Sequence, residues 1–595
     1  MSSLQSPLPK ATSDTGFRQE PFQLRNQYED DTVLQNILKR IVPASVLQEF
    51  EPDLSRFGER VVNDILELGN DVETPSNYPR LVQYDAWCRR VDKITTAHGW
   101  EQLNRVAAEE GLVGIAYERK YNEYSRVYQF AKQYLYSPSS AVHSCPISMS
   151  DGAARALELL GTEEMKNKFY ERLVSRDPNQ NWTSGQWMTE RPGGSDVGRT
   201  ETIAELIDEK TNTWNVTGFK WFSSATTADM TMLLARTVDP KTGKVKPGSK
   251  GLSLYVAEMR NPDGSLNGVR VHRLKDKFGT KGLPTAELEL TGMKAQLVGD
   301  IGRGVPCISS ILNITRVYAA AGVASAVRRA LAIAKDYATR REAFSRPLDK
   351  IPLHITTLAQ LELVYRATVQ ITFFVVSLLG RTEALPASQT KQDKQLLRFL
   401  TPITKAYVCK IGVQAISEAM EALGGQGYME ETGLGREYRN SQVNTIWEGT
   451  TNVLAMDVVR VLRQTKGDAY KLFEKALLDK IAVSSKNAMQ LEGAIARVRH
   501  ALVNIRVFIE TQLEAPLFDA SARDMTFALG RVLAAVLLIE QASWAVGNSR
   551  PEAEQDIAVA IKWTLDPEFV REIKAKSAAS ISQEAKIVFG PNARL

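Results

Sequence analysis

The chain predicts an α+β protein in four parts: a helical region, a β domain, a helical bundle and a helical extension. Three observations carry this. Between about 31 and 180, apolar residues recur at three-to-four spacing, as in DTVLQNILKRIV, the mark of amphipathic helices. Near 181 the texture changes to short runs rich in β-branched and aromatic residues, parted by turn signals. Beyond about 301 the long apolar-periodic stretches return.

Taken in order, residues 1–30 read as a disordered or extended arm, since the first 16 are polar. In the helical region 31–180, Thr162 followed by two acids marks a helix start. In 181–300, WNVTGFKWFSSA, MTMLLARTV, GLSLYVAEM, VRVHRL and AELELTGMKAQLV read as strands, with PKTGKVKPGSKG and NPDGSLNG as turns. In 301–465, VYAAAGVASAVRRALAIAKDYATRREAF reads as one long helix. Two more follow, the second stopped by Gly424-Gly425, and a fourth at TTNVLAMDVVRVLRQ completes a bundle. Residues 466–595 read as further helix, expected to lie against a dimer.

At 595 residues, two to four domains are expected. A hydrophobic share of 43% beside 24% charged residues fits an ordinary globular protein. The net charge of +5 is small for this length, and the extension is nearly balanced in acids and bases. Neither offers the basic stripe that nucleic acid requires, so no such partner is expected. The four cysteines form no CxxC pair and read as reduced thiols. The five histidines are scattered, so no metal centre is expected. The runs ITFFVVSLLG and VLAAVLLI are too short to cross a bilayer, so no transmembrane segment is expected. No secretory signal opens the chain. The last residues, Ala593-Arg594-Leu595, vary conservatively on the peroxisomal Ser-Lys-Leu address. The expected location is therefore peroxisomal, otherwise mitochondrial or cytoplasmic.

No GxGxxG after a strand, GxSxG or Walker motif occurs. Three clusters remain. In WMTERPGGSDVGRTET, Thr189, Gly193, Gly194, Ser195 and Asp196 form a glycine-rich polar loop, which is either a surface turn or a cradle of ligand donors. In GFKWFSSATTAD, strand alternation puts Phe222 and Ser224 on one face, an apolar plate beside a hydroxyl. In VNTIWEGTTN, Glu448 stands just ahead of a helix start, a surface acid or a base.

In this order along an α–β–α chain, the three clusters resemble the acyl-CoA dehydrogenase family. RLKDKFGTKGLPTAELEL, LVGDIGRG, RREAFSRPL, ALGGQGY and IWEGTTN extend the likeness over about residues 60 to 465. LVQYDAWCRRVD, CPISMS, GFKWFSS and the Trp before Glu448 point to its AidB-like branch. The resemblance implies a barrel-like middle domain, a four-helix C-terminal bundle and FAD held between them. It makes Trp187, Thr189, Gly194, Ser195, Phe222 and Ser224 cofactor residues, with Phe222 on the flavin ring and the Ser224 hydroxyl at flavin N5. Arg341, Phe344, Gly424 and Gly425 would hold the FAD of a neighbouring subunit, and Thr450 and Asn452 its adenine end. A homodimer or homotetramer follows. Glu448 becomes the base that removes the α-proton of an acyl-CoA thioester, with Arg316 in support. The expected reaction is FAD-dependent α,β-dehydrogenation in fatty-acid β-oxidation. Electrons would pass to an electron-transfer flavoprotein, or to O2 if the chain is an oxidase. An AidB-like protective or binding role with little turnover is the remaining alternative. Glu421, Ala343, Ser345 and Asn440 depart from the usual pattern around the adenosine diphosphate.

Overall fold

The computed structural model describes residues 11–485, 489–569 and 571–593. Arg594 and Leu595 of the C-terminal tripeptide lie outside them. Residues 18–26 form an extended arm that is docked rather than loose: Phe22 and Leu24 pack on the core, and Gln23 N–H donates to Asp336 Oδ2 at 3.0 Å.

Helices follow as α1 (Thr32–Ile41), α2 (Ala44–Arg60), α3 (Asp64–Glu73), α4 (His98–Glu109), α5 (Gly114–Glu118), α6 (Ser125–Tyr136) and α7 (Ser144–Leu160). The single turns α8 (Glu163–Met165) and α9 (Glu171–Leu173) close this part, with Thr162 capping α8 by accepting from Met165 N–H. One element departs from an all-helical reading. Strands β1 (Arg80–Tyr84) and β2 (Arg90–Thr95) form an antiparallel hairpin, and Gln83 Nε2 donates to the Val271 carbonyl of the β domain at 2.9 Å. LVQY and RVDKI do alternate, but the charged tip between them hid the hairpin.

The β domain runs from β3 (Ser184–Trp187) through β4 (Ile203–Asp208), β5 (Thr213–Ser224), β6 (Met230–Thr237), β7 (Leu252–Glu258) and β8 (Val269–Leu274) to β9 (Thr285–Val298). Pairings β6–β4, β4–β5, β5–β9, β9–β7 and β7–β6 return to their start, so five strands close a barrel. β3 adds to β6, and β8 to β9. Alternate residues fill the inside: Trp187, Trp214, Val216, Tyr255 and Leu288 form one core.

The bundle consists of α10 (Gly304–Arg340), α11 (Pro352–Ala384), α12 (Lys391–Ala422), the short α13 (Leu434–Gln442) and α14 (Thr451–Gln464). α10 begins earlier than VYAAAG and ends at Arg340, the first residue of RREAFSRPL, whose later residues form the small hairpin β10 (Glu342–Ala343) and β11 (Arg346–Pro347). The extension is α15 (Asp468–Ser484), α16 (Glu492–Gln512), α17 (Ala522–Gly547), α18 (Ala553–Leu565) and α19 (Ala578–Phe589). It packs on its own chain's bundle. At Gly530 of α17 a side chain would strike Tyr407 of α12 at 2.5 Å, so glycine permits that close crossing. Arg40 of α1 pairs with Glu540 of α17, and Arg366 of α11 with Asp556 of α18 at 2.5 Å.

α10, α11 and the stretch Phe518–Gly547 are long and apolar enough to cross a membrane by length and composition. That corrects the reading from shorter apolar runs. In the fold, 89%, 83% and 78% of their apolar windows are buried within the protein.

Candidate active site

Glu448 ends a loop that enters α14. Its side chain is half-buried, and Thr315 of α10 donates its hydroxyl to Glu448 Oε2 at 2.7 Å. Burial pushes the Glu448 carboxyl up; the Thr315 hydroxyl and the charges of Arg316 and Lys405 pull it part of the way back. Its backbone sits at φ +58° and that of Gly449 at +101°. Only the second position holds a residue suited to left-handed geometry, so Glu448 is strained. Trp447, beside it, is partly buried and donates its indole N–H to Asn444 Oδ1 at 2.8 Å.

Arg316 does not point at the carboxylate. Its Nε donates to the Glu448 carbonyl at 3.2 Å and its Nη1 to Asp457 Oδ2 at 3.1 Å. Arg398 shares Asp457 at 2.6 Å. Arg316 therefore holds the loop backbone, and its charge also favours the carboxylate form.

The glycine-rich loop is anchored by an ion pair that the motif itself conceals. Glu190 accepts from Lys220 Nζ at 2.6 Å with both side chains buried, and from Glu201 N–H at 2.6 Å. This holds Thr189 at the foot of an exposed Gly194–Ser195 turn. A side chain at Gly194 would meet Thr189 Oγ1 at 2.9 Å, so glycine lets the turn close on that hydroxyl.

Along β5, Phe222 is 51% exposed, Ser223 is buried and Ser224 is half-buried, in the expected alternation. Lys275 lies over the Phe222 ring at 4.7 Å. The Ser224 hydroxyl bonds that of Thr285 at 3.0 Å, and Thr285 Oγ1 accepts from Lys277 Nζ at 3.0 Å. Burial lowers the Lys277 amine to about 8. Trp187 belongs elsewhere: its ring is 1% exposed inside the barrel core, so its side chain is spent on packing.

Four residues lie at exposed edges. Phe344 is 92% exposed, and side chains placed at Gly424 or Gly425 would meet nothing within 4 Å. Arg341 is held by the N-terminal arm, over the Phe17 ring at 5.6 Å and bonded to Gln19 Oε1 at 3.5 Å. Thr450 caps α14 by accepting from Val453 N–H, and Asn452 Oδ1 accepts from Arg523 of α17 at 3.0 Å.

Sequence reading missed Thr315, Lys277, Thr285 and Lys405. For Thr315 the signal was adjacency to Arg316. For Lys405 it was a cation set in the apolar stretch FLTPITKAYVC.

Residues 18–179 match the adaptive response protein AidB N-terminal domain, and 185–293 the acyl-CoA dehydrogenase middle domain. Residues 302–463 match the acyl-CoA dehydrogenase C-terminal domain, and 468–589 an acyl-CoA dehydrogenase 11 C-terminal domain-like family. These domains in this order define the class: an acyl-CoA dehydrogenase. The chain is 40% identical over 558 residues to acyl-CoA dehydrogenase family member 11 of Caenorhabditis elegans, covering 92% of this chain and 88% of the relative. It belongs to the acyl-CoA dehydrogenase family. It is 31% identical over 422 residues to the putative acyl-CoA dehydrogenase AidB of Escherichia coli, covering 70% of this chain and 74% of that protein. The crystal structure of Caenorhabditis elegans ACDH-11 in complex with C11-CoA superposes with a TM-score of 0.92 across all of both chains, at 37% identity. A Bacillus anthracis acyl-CoA dehydrogenase complexed with FAD shares the fold at a TM-score of 0.63 and 19% identity, over 79% of this chain and 81% of that one.

Proposed function

We propose that this chain removes the α-proton of an acyl-CoA thioester with Glu448 in an FAD-dependent α,β-dehydrogenation, as a step of fatty-acid β-oxidation. The observation that carries it is the Glu448 carboxyl, half-buried in the bundle, raised by burial and steadied by Thr315. A carboxylate in water is too weak a base for an α-carbon; burial brings it closer to working pH. Positioned base catalysis supplies about 10²–10⁴-fold.

The residues fit the cofactor. The Thr189 and Ser195 hydroxyls, the open Phe222 ring and the Ser224 hydroxyl suit a flat ring with a polar edge. FAD, when bound there, supplies the acceptor for the β-hydride. The protein's own part is to hold the base and to orient Ser224 through Thr285 and Lys277. The complex of the Caenorhabditis elegans relative with C11-CoA supports an acyl-CoA ligand. The exposed Phe344 and the open glycine turn support a second copy of the chain as the partner that completes the nucleotide edge.

The test is anaerobic addition of butanoyl-, octanoyl- and hexadecanoyl-CoA to the FAD-loaded protein, beside Glu448→Gln. Bleaching of the flavin absorbance by at least one thioester, absent in the variant, is expected. Equal bleaching in the variant would remove Glu448 from the mechanism.

A further inference from the structure

Lys405 lies in the middle of α12, 1% exposed, with Ile403, Ala406, Tyr407 and Val408 buried around it. A buried lysine is costly unless its charge has somewhere to go. Its ammonium donates to the Trp447 carbonyl at 2.7 Å and to the Gly449 carbonyl at 2.6 Å. The carbonyl between them, that of Glu448, accepts from Arg316 Nε at 3.2 Å. Two cations from two helices thus take up three successive carbonyls of one loop. The loop needs such a hold, because Glu448 is in the left-handed region at φ +58° without being glycine. It does not need it to start α14, which Thr450 already caps.

We infer that Lys405 is a positioning residue: it locks the left-handed turn that aims the Glu448 carboxylate and keeps a positive charge beside it. This rests on Glu448 being the base. The ionisable groups that act on Lys405 are Cys409 on its own helix, Glu448 from the loop and Arg316 from α10. Arg316 in turn answers to Asp457 of α14 and Arg398 of α12. Burial lowers the Lys405 amine to about 8, so it loses its charge as pH rises past that value. The Cys409 thiol is pushed up to about 12 by burial and stays neutral across this range.

The experiment is kcat/KM against pH for the FAD-loaded full chain with octanoyl-CoA, comparing wild type with Lys405→Met, Lys405→Gln, Lys405→Arg, Cys409→Ala and Glu448→Gln. Thermal melts check folding. Removing the charge raises the Glu448 pKa, so the acid limb moves up by about half a unit to one unit in the Met and Gln variants. Loss of aim lowers kcat by about 10²-fold with little change in KM. Lys405→Arg keeps the acid limb in place and abolishes the wild-type fall above about pH 8. Cys409→Ala, one turn along the helix, leaves both limbs unchanged. Folded Met or Gln variants with an unmoved acid limb would overturn the inference. Where neither folds, persistence of the alkaline fall in Lys405→Arg would overturn it. Glu448→Gln as active as wild type would overturn the base reading and this inference together. An inactive Glu448→Gln beside an unmoved acid limb would overturn this inference alone.

Discussion

Glu448 stands in a loop whose carbonyls are taken up by Lys405 and Arg316 and whose carboxylate is steadied by Thr315. Phe344, in the hairpin between β10 and β11, has 92% of its surface open, and the Gly424–Gly425 turn faces empty space. Folding of one chain finishes the proposed base end of the site. At the proposed nucleotide edge it leaves an aromatic side chain and bare backbone on the surface. In the proposed contact with a second copy of the chain, this edge is where that copy would cover the Phe344 ring. The base end should therefore respond to substitution through chemistry and fold stability, and the nucleotide edge through association.

The largest expected effect is at the closed end. Glu448→Gln keeps size and hydrogen-bonding capacity but cannot take a proton, so turnover falls by about 10²–10⁴-fold. Acyl-CoA binding, followed by calorimetry, should persist.

Next is the anchor of the glycine-rich loop. Lys220→Met leaves Glu190 buried without its cation, and urea melts at neutral pH should show a loss of about 3–5 kcal/mol. The pH dependence sharpens this. In wild type, burial pushes Glu190 up, but the Lys220 charge and hydrogen bonds outweigh it and hold the carboxyl below the ordinary range. A depressed folded pKa stabilises the protein above the unfolded value, and that contribution is lost as pH falls through the folded one. In Lys220→Met only the hydrogen bonds from Glu201 and Thr202 still oppose burial, so this loss of stability at falling pH should shrink. Matching slopes in the two proteins would show that the pair contributes nothing.

Asp457→Asn is expected to be milder, about 2 kcal/mol by the same melts, since Asn keeps one hydrogen bond and Arg398 is open enough to regain water. The smallest effect on fold stability is at the open edge. Phe344→Ala should stay within about 0.5 kcal/mol by melts. Sedimentation should nevertheless shift toward the single chain. A large loss of stability with unchanged sedimentation would reverse the contrast drawn between the two ends.

Much of the architecture was legible because period carries it. Three-to-four spacing marks α10, α11 and α12, and β-branched runs mark β4 to β9, since each pattern follows from which face is buried. The hairpin β1–β2 was not legible: its strands are short and its tip charged, and only docking on β8 gives it a role. Trp187 illustrates the opposite error. Its place in a motif suggested a ligand contact, whereas strand alternation turns its ring into the barrel core.

By itself the sequence determined the succession of helical and strand regions, the glycines that let the Gly194 turn close, and the acid at 448, because these depend on local geometry and residue chemistry. Only the tertiary structure decided what surrounds that acid. Thr315 and Lys405 reach Glu448 and its loop from 133 and about 43 residues away in the chain. Burial, which raises its carboxyl, is a property of the packed bundle rather than of any stretch of residues. Tertiary structure also closed the barrel through β6–β7 and folded the extension onto its own bundle, since long-range pairing leaves no local period to read.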